Sequence, residues 1–367
     1  MFWEDRVKRV ISADSHVLEP PDLWVKALAD KWGERAPHFA DTYNGETGTF
    51  FFTGRDVLRL GSSHDIDQEE RYQNLQAAGR DPAIRLGIMD DEQIASEVLN
   101  ASWALLTPRI LDGELRRACA GVFNDYLIDY AAHDHKRLVG VALLPIDDVP
   151  WALEELERIA ARRVRGVMVP VNPSDDAKPY RDPYYDPVWA SVVEKALPVT
   201  LHSGTGKVPD PSTCFASDVQ NVPGTFIEYF AEAAPALTNE FIFGGVFDRF
   251  PQLQLYLSEF DASWLPILRY RLERIEKYPG LQPLKKPANQ YLDDNVYVGF
   301  INDPLAAKLR SEIGVDRMLW GSDFPHPPCP FPNIRERLDS EILVDVPDDE
   351  RRKLVADNVA KLYGIEP

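Results

Sequence analysis

The stretch from residue 10 to residue 24, VISADSHVLEPPDLW, decides the fold. It begins as a buried strand, with Val10, Ile11 and Ala13 able to fill a core. It then turns polar within three residues, placing Asp14, His16 and Glu19 ahead of the Pro20-Pro21 break. A doubly wound nucleotide-binding sheet needs a glycine-rich turn after its first strand. Here that turn is DSHVLEPP, with no glycine at all. A parallel barrel suits the pattern instead, because its working side chains stand at the C-terminal ends of its strands.

The rest of the chain keeps that rhythm. Short apolar runs follow at KRVISAD (8–14), ASEVLNAS (95–102), RLVGVALLP (137–145), RGVMVP (165–170), LPVTLHS (197–203), LQLYLSE (253–259), NVYVGF (295–300) and RMLWGSD (317–323). Continuous apolar runs of this kind are what strands buried on both faces require. Helix-like segments separate them, among them LRRACAGVFNDYLIDYAAH, WALEELERIAARR, PVWASVVEKA and WLPILRYRLERIEKY. Eight strands alternating with helices make a (β/α)8 TIM barrel, read as one domain over residues 1–367. Residues 36 to about 92 break the rhythm as a long cap-like insertion between the first and second strands. Within it DTYNGETGTFFFTG reads as a hairpin with Asn44-Gly45 and Thr47-Gly48 as turn residues.

Composition bounds the function. The 367 residues carry 44% hydrophobic and 27% charged side chains, enough for a large soluble core without staples. A net charge of −19 argues against a nucleic-acid surface and disfavours anionic membranes. The start MFWEDRVKRV is charged where a secretion signal would be apolar, and no 18-residue apolar stretch occurs, so a cytoplasmic location is expected. Cys119, Cys214 and Cys329 form neither a zinc pattern nor a disulfide framework.

Strong ligands fall at matching strand ends: Asp14 and His16 after the first, His202 after the fifth, Glu259 after the sixth, Asp323 after the eighth. Each alone has a structural reading. Asp14 serves as a turn or cap residue, His16 and His202 as satisfied polar groups, and GSDFPH as an Asp-initiated loop. Together, at one face of a barrel, three carboxylates and two imidazoles suit a divalent cation such as zinc or manganese. Without one, the carboxylates would repel and desolvation would cost several kcal/mol.

The segments ADSHVLEPPDLW, FNDYLIDYAAHDHKRLVGVALLP, DPYYDPVWASVVEKALPVTLHSG, FDRFPQLQLYLSEFDASWLP and DRMLWGSDFPHP resemble the amidohydrolase-related metal-dependent barrels of the aminocarboxymuconate-semialdehyde decarboxylase type. The resemblance spans nearly the whole chain. It implies one divalent ion, Zn2+ or Mn2+, on Asp14, His16, His202 and Asp323, with Asp323 also the proton-transfer group. It further implies a small-molecule substrate and a homodimer. Family members often have a histidine where Glu259 stands in LSEFD, and that departure bears on mechanism. Glu259 is expected to stay protonated, to pair with a cation such as an arginine from the cap, or to act as a base. Crowded by other carboxylates, it should have a raised pKa.

Two reactions follow from the same ligands. One is nonoxidative decarboxylation of a small aromatic or unsaturated acid, which family precedent favours. The other is hydrolysis by a metal-activated water, which Glu259 favours. A non-catalytic binding barrel is the third reading, and the retained ligand set speaks against it.

Secondary candidates are Glu19, either a hydrogen-bond support for a ligating imidazole or a carboxylate at a helix start, and His326, either near Asp323 or a loop residue fixed by prolines. His133 and His135 precede a strand and so belong on the opposite face. His64 and Arg55 lie in the cap. SGTGK lacks the spacing and the Ser/Thr of a phosphate loop, and Trp103 and Trp320 read as core.

Overall fold

The computed structural model describes residues 9–53, 57–60, 70–174, 177–205, 229–280, 283–326 and 329–366. Arg55, His64, Cys214 and the Gly206-Lys207 end of SGTGK lie outside the described residues. The first strand, β1 (Val10–His16), is followed by a separate antiparallel sheet of β2 (His38–Tyr43), β3 (Glu46–Phe52) and β4 (Val57–Leu60). Then come β5 (Ile94–Asn100), β6 (Leu138–Leu143), β7 (Gly166–Val169), β8 (Val199–His202), β9 (Leu255–Ser258), β10 (Val296–Phe300) and β11 (Met318–Trp320). These seven continue from β1 in sheet order β1-β5-β6-β7-β8-β9-β10-β11, each pair parallel. The expected eight strands are present, and the architecture is a (β/α)8 barrel. Every residue of β1 and of β6 to β11 is buried, which explains their unbroken apolar runs.

The ring closes between β11 and β1 through a parallel bridge of Ser15 with Phe324. The His16 amide donates to the Phe324 carbonyl at 2.6 Å, and the Asp323 amide to the Asp14 carbonyl at 2.8 Å. Three buried hydroxyls, Ser12, Ser15 and Ser322, bond to one another at 3.0–3.1 Å across this seam. Gly321 is required here, since a Cβ at that position would meet the Asp14 Cβ at 2.5 Å. The polar letters of SADS and GSD are therefore partly seam and partly site.

The helices α1 (Leu23–Trp32), α2 (Glu70–Arg80), α3 (Pro82–Asp91), α4 (Gly113–Ala131), α5 (Val149–Ala161) and α6 (Asp186–Glu194) lead the chain as far as β8. Asp81, Asp112 and Asp148 cap α3, α4 and α5 by accepting backbone N–H groups of the first turn. In the β2–β3 hairpin Asn44 and Gly45 have φ of 50° and 83°, the double positive φ of a type I′ turn. Trp103 packs on Phe39 and Phe51 and so ties this sheet to the barrel mouth. Within the 36–92 span, α3 packs on β5 and forms barrel wall. No helix among the described residues is long and apolar enough to cross a membrane.

Candidate metal centre

Asp14 and His16 are two residues apart on β1, so the strand's alternation points both to the same side. Asp14 is the hub of the centre. Its Oδ1 accepts from Asn100 Nδ2 at 2.7 Å and its Oδ2 from Ser258 Oγ at 2.7 Å, fixing both oxygens. The imidazoles are oriented by carbonyls, which can only accept. His16 Nδ1–H donates to Ala101 O at 2.5 Å, and His202 Nδ1–H to Ser203 O at 2.9 Å. Each ring thereby turns its Nε2 inward.

Those Nε2 atoms meet carboxylates. His16 Nε2 lies 3.4 Å from Asp14 Oδ1 and 3.2 Å from Asp323 Oδ1, and His202 Nε2 lies 3.3 Å from Asp14 Oδ1. His16 Nε2 and Asp323 Oδ2 are buried without any hydrogen-bond partner. Unpartnered buried polar atoms are costly. With metal–ligand bonds of about 2.0–2.2 Å, donors on one ion sit about 3–3.5 Å apart, which is the spacing found. The donor set therefore fits a divalent cation, and a ligand atom from each of Asp14, His16, His202 and Glu259 lies within 4.8 Å of the others.

Electrostatics support this reading. Burial would raise the Asp14 carboxyl, but the His202 charge and hydrogen bonds from His16 and His202 hold it well below the usual carboxylate range. Burial opposes charge on both imidazoles, yet Asp14 and Asp323 push the His16 pKa well above the ordinary value, and Asp14 raises that of His202. The carboxylates thus demand positive charge from whatever can supply it.

The structure brings Asp14, His16, His202, Asp323, Glu259 and His326 together. Glu259 follows β9 with φ of 62°, and Asp323 has φ of 55°. The left-handed backbone costs an L-residue roughly 1–2 kcal/mol and turns the chain sharply at each of these two residues. Glu259 Oε2 lies 3.4 Å from His202 Nδ1, and no described arginine pairs with it. Burial and the Asp323 charge raise its pKa to about 7. His326 Nδ1 bonds Asp323 Oδ1 at 2.7 Å, its Nε2 faces Ser102 Oγ at 2.9 Å, and its ring lies 4.0 Å from that of His16. Burial and the neighbouring His16 lower the His326 pKa.

Glu19 corrects one expectation. It touches no imidazole; its carboxylate accepts the amides of Ser102, Trp103 and Ala104 at 3.1, 2.9 and 3.0 Å. These start the 3-10 turn Trp103–Arg109, so a buried carboxylate fixes the backbone beside Ala101 and Ser102, which in turn hold His16 and His326. His133 and His135 lie between α4 and β6, away from this centre.

Sequence reasoning missed Asn100, Ser258, Ser102 and Arg85. The first three end or follow barrel strands, the position that revealed the ligands; only their uncharged chemistry hid them. Arg85, in α3, is fully buried; it donates to Glu97 Oε2 at 2.5 Å, to the His16 carbonyl at 2.6 Å and to the Phe324 carbonyl at 3.4 Å.

A family model described as amidohydrolase matches residues 112–365. This chain belongs to the amidohydrolase family. Over 293 residues the amidohydrolase is 25% identical to a gamma-resorcylate decarboxylase of a Polaromonas species, covering 77% of this chain and 86% of that one. An amidohydrolase structure from Mycobacterium avium subsp. paratuberculosis superposes with a TM-score of 0.76 at 21% identity, over 97% of this chain and 99% of that one. A 5-carboxyvanillate decarboxylase of Novosphingobium aromaticivorans, with bound manganese and a nitrobenzoic acid ligand, gives 0.70 at 19% identity over 98% of both chains. These two likenesses establish the shared barrel.

Proposed function

We propose that this amidohydrolase is a nonoxidative decarboxylase of a small aromatic or unsaturated carboxylic acid, dependent on a single divalent ion held by Asp14, His16, His202 and Asp323. The observation that carries the metal dependence is the pair of buried atoms without a hydrogen-bond partner, His16 Nε2 and Asp323 Oδ2, on side chains that approach to 3.2 Å. The curated decarboxylase relatives support the choice of reaction. Manganese is proposed over zinc, since carboxylates make up half the ligand set and a manganese-bound decarboxylase shares the fold.

Such an ion would supply Lewis-acid polarisation of the substrate's carboxylate and an adjacent oxygen. Burial would raise the Asp323 carboxyl, but His326 and His16 hold it below the ordinary range, so it takes a proton from His326 and passes it to the carbon that bears the carboxylate. The carbon–carbon bond then breaks, its electron pair returns to the unsaturated system and CO2 leaves. Asp323 is buried whereas the His326 side chain is 25% exposed, so His326 carries a proton from solvent to Asp323 across their 2.7 Å hydrogen bond. Ser102 holds the far nitrogen of that imidazole. Glu259 stands where a base or a neutral acid would face substrate.

A second reading, hydrolysis with Glu259 as general base, is favoured by one observation: Glu259 has no described arginine partner and a pKa near neutrality. Metal-loaded protein is offered ortho-hydroxylated benzoates, and CO2 release is followed. Release that disappears in Asp323→Asn, with metal content retained, supports decarboxylation. Folded, metal-loaded protein that hydrolyses esters or amides without CO2 release replaces it with the second reading.

The homodimer belongs to the same reading, supported by the family resemblance. Ile267 and Tyr270, 61% and 60% exposed on the helix Leu265–Ile275, offer an apolar face for a second copy. Light scattering that reads a monomer at working concentration removes it.

A further inference from the structure

We propose that the opposite, N-terminal face of the barrel carries a second binding site, for a small multivalent anion bearing phosphate or carboxylate groups. A cavity of about 360 Å3 opens there. Its lining brings together Arg9 ahead of β1, Lys136 and Arg137 ahead of β6, and Arg163 and Arg165 ahead of β7. Glu366 is the single carboxylate among the lining residues. Five cations against one acid is a local inversion in a chain with 59 acidic and 40 basic residues.

These cations differ from their neighbours in how they are used. Arg158 and Arg162, in and just after the last turn of α5, pair with Asp125, Asp129 and Glu155. Arg163 and Arg165, one and three residues further on, make no ion pair with a described acid, and neither do Arg9 and Lys136. Arg137 alone is committed, to Asp90 and to the carbonyls of Ile94 and Ala95. Cations do collect at helix C-termini to complement the dipole. That accounts for Arg163 and Lys136, but Arg9 and Arg165 directly precede strands, and dipole complementation needs no cavity.

Four like charges with no ion-pair partner among the described residues surround one concavity and repel each other, and a bound anion relieves that repulsion. Guanidinium forks match the paired oxygens of phosphate and carboxylate equally well. The volume takes a compact molecule with two or more negative charges. Because this face of a barrel carries structure rather than chemistry, the site is separate from the metal centre.

The test is calorimetric titration with pyrophosphate and with citrate, at an ionic strength held constant with sodium chloride, of the metal-loaded protein and, because both probes chelate divalent ions, of the same protein stripped of metal. Saturable one-site binding is expected. Pyrophosphate binding alone assigns phosphate chemistry, citrate alone carboxylate chemistry, and both a general polyanion site. Arg163→Ser/Arg165→Ser, at two exposed positions, should weaken binding at least about tenfold. Arg9→Ser, on a different element, should act in the same direction, and removal of the metal should leave binding unchanged. No saturable heat from either probe up to about 10 mM overturns the proposal. So does binding that survives in the double variant, or that is seen only with the metal present, which would put the anion on the metal.

Discussion

Replacing Arg85 by methionine tests how α3 supports the metal centre. Methionine keeps the apolar stem of the side chain and removes only the guanidinium. The Glu97 carboxylate, 2% exposed, is then left without its partner. Breaking a buried ion pair from one side costs about 3–5 kcal/mol. The His16 carbonyl loses a 2.6 Å donor, worth about 1 kcal/mol. The 3.4 Å contact to Phe324 is too long to add much. The expected loss is about 4–6 kcal/mol, a large share of the ~5–15 kcal/mol that holds a folded protein together. Denaturant unfolding measures it. Arg85→Met/Glu97→Leu removes both charges and should recover about 2–3 kcal/mol of the loss. Both variants should bind manganese about tenfold more weakly, because the His16 carbonyl loses its anchor in each. A single variant that loses less than about 1 kcal/mol, or a double variant no more stable than the single, refutes the reasoning.

Asn100→Ala and Ser258→Ala each free one oxygen of Asp14, and each should weaken metal binding about 10–100-fold with little change in fold; equilibrium dialysis reads this, and unchanged affinity would remove both from the centre. In protein stripped of metal, His16 and His202 have raised pKa values, so a cation must displace their protons. Metal affinity should therefore climb as pH rises through those values, and calorimetry in buffers of different ionisation enthalpy should show proton release. Affinity independent of pH between about 6 and 8 would contradict the protonated imidazoles. Glu19→Gln should cost about 1–3 kcal/mol through the three amides it accepts. Its metal affinity should stay within about threefold, whereas a hundredfold fall would mean that Glu19 supports a ligand directly.

The strands, their order along the chain and the four residues proposed to hold the ion are legible in the sequence because each depends on local chemistry. Apolar runs mark strands buried on both faces, and a charged residue ending such a run is conspicuous. Parallel strands all present their C-terminal ends at one face, so His16 and Asp323 meet although 306 intervening residues separate them. The role of Glu19 was not legible. A carboxylate before Pro20-Pro21 serves a ring or a backbone equally well until the 102–104 turn folds onto it. Arg85 and Glu97 lie 12 residues apart, on a helix and a strand whose facing sides only packing defines. Asn100 and Ser258 gain their importance from Asp14, which reaches them only once β1, β5 and β9 share one barrel. Residue type and position along each strand thus determine which groups stand at the mouth. Only the closure of the ring decides which of them touch, because hydrogen bonds and ion pairs act over about 3 Å and the chain must first bring its ends together.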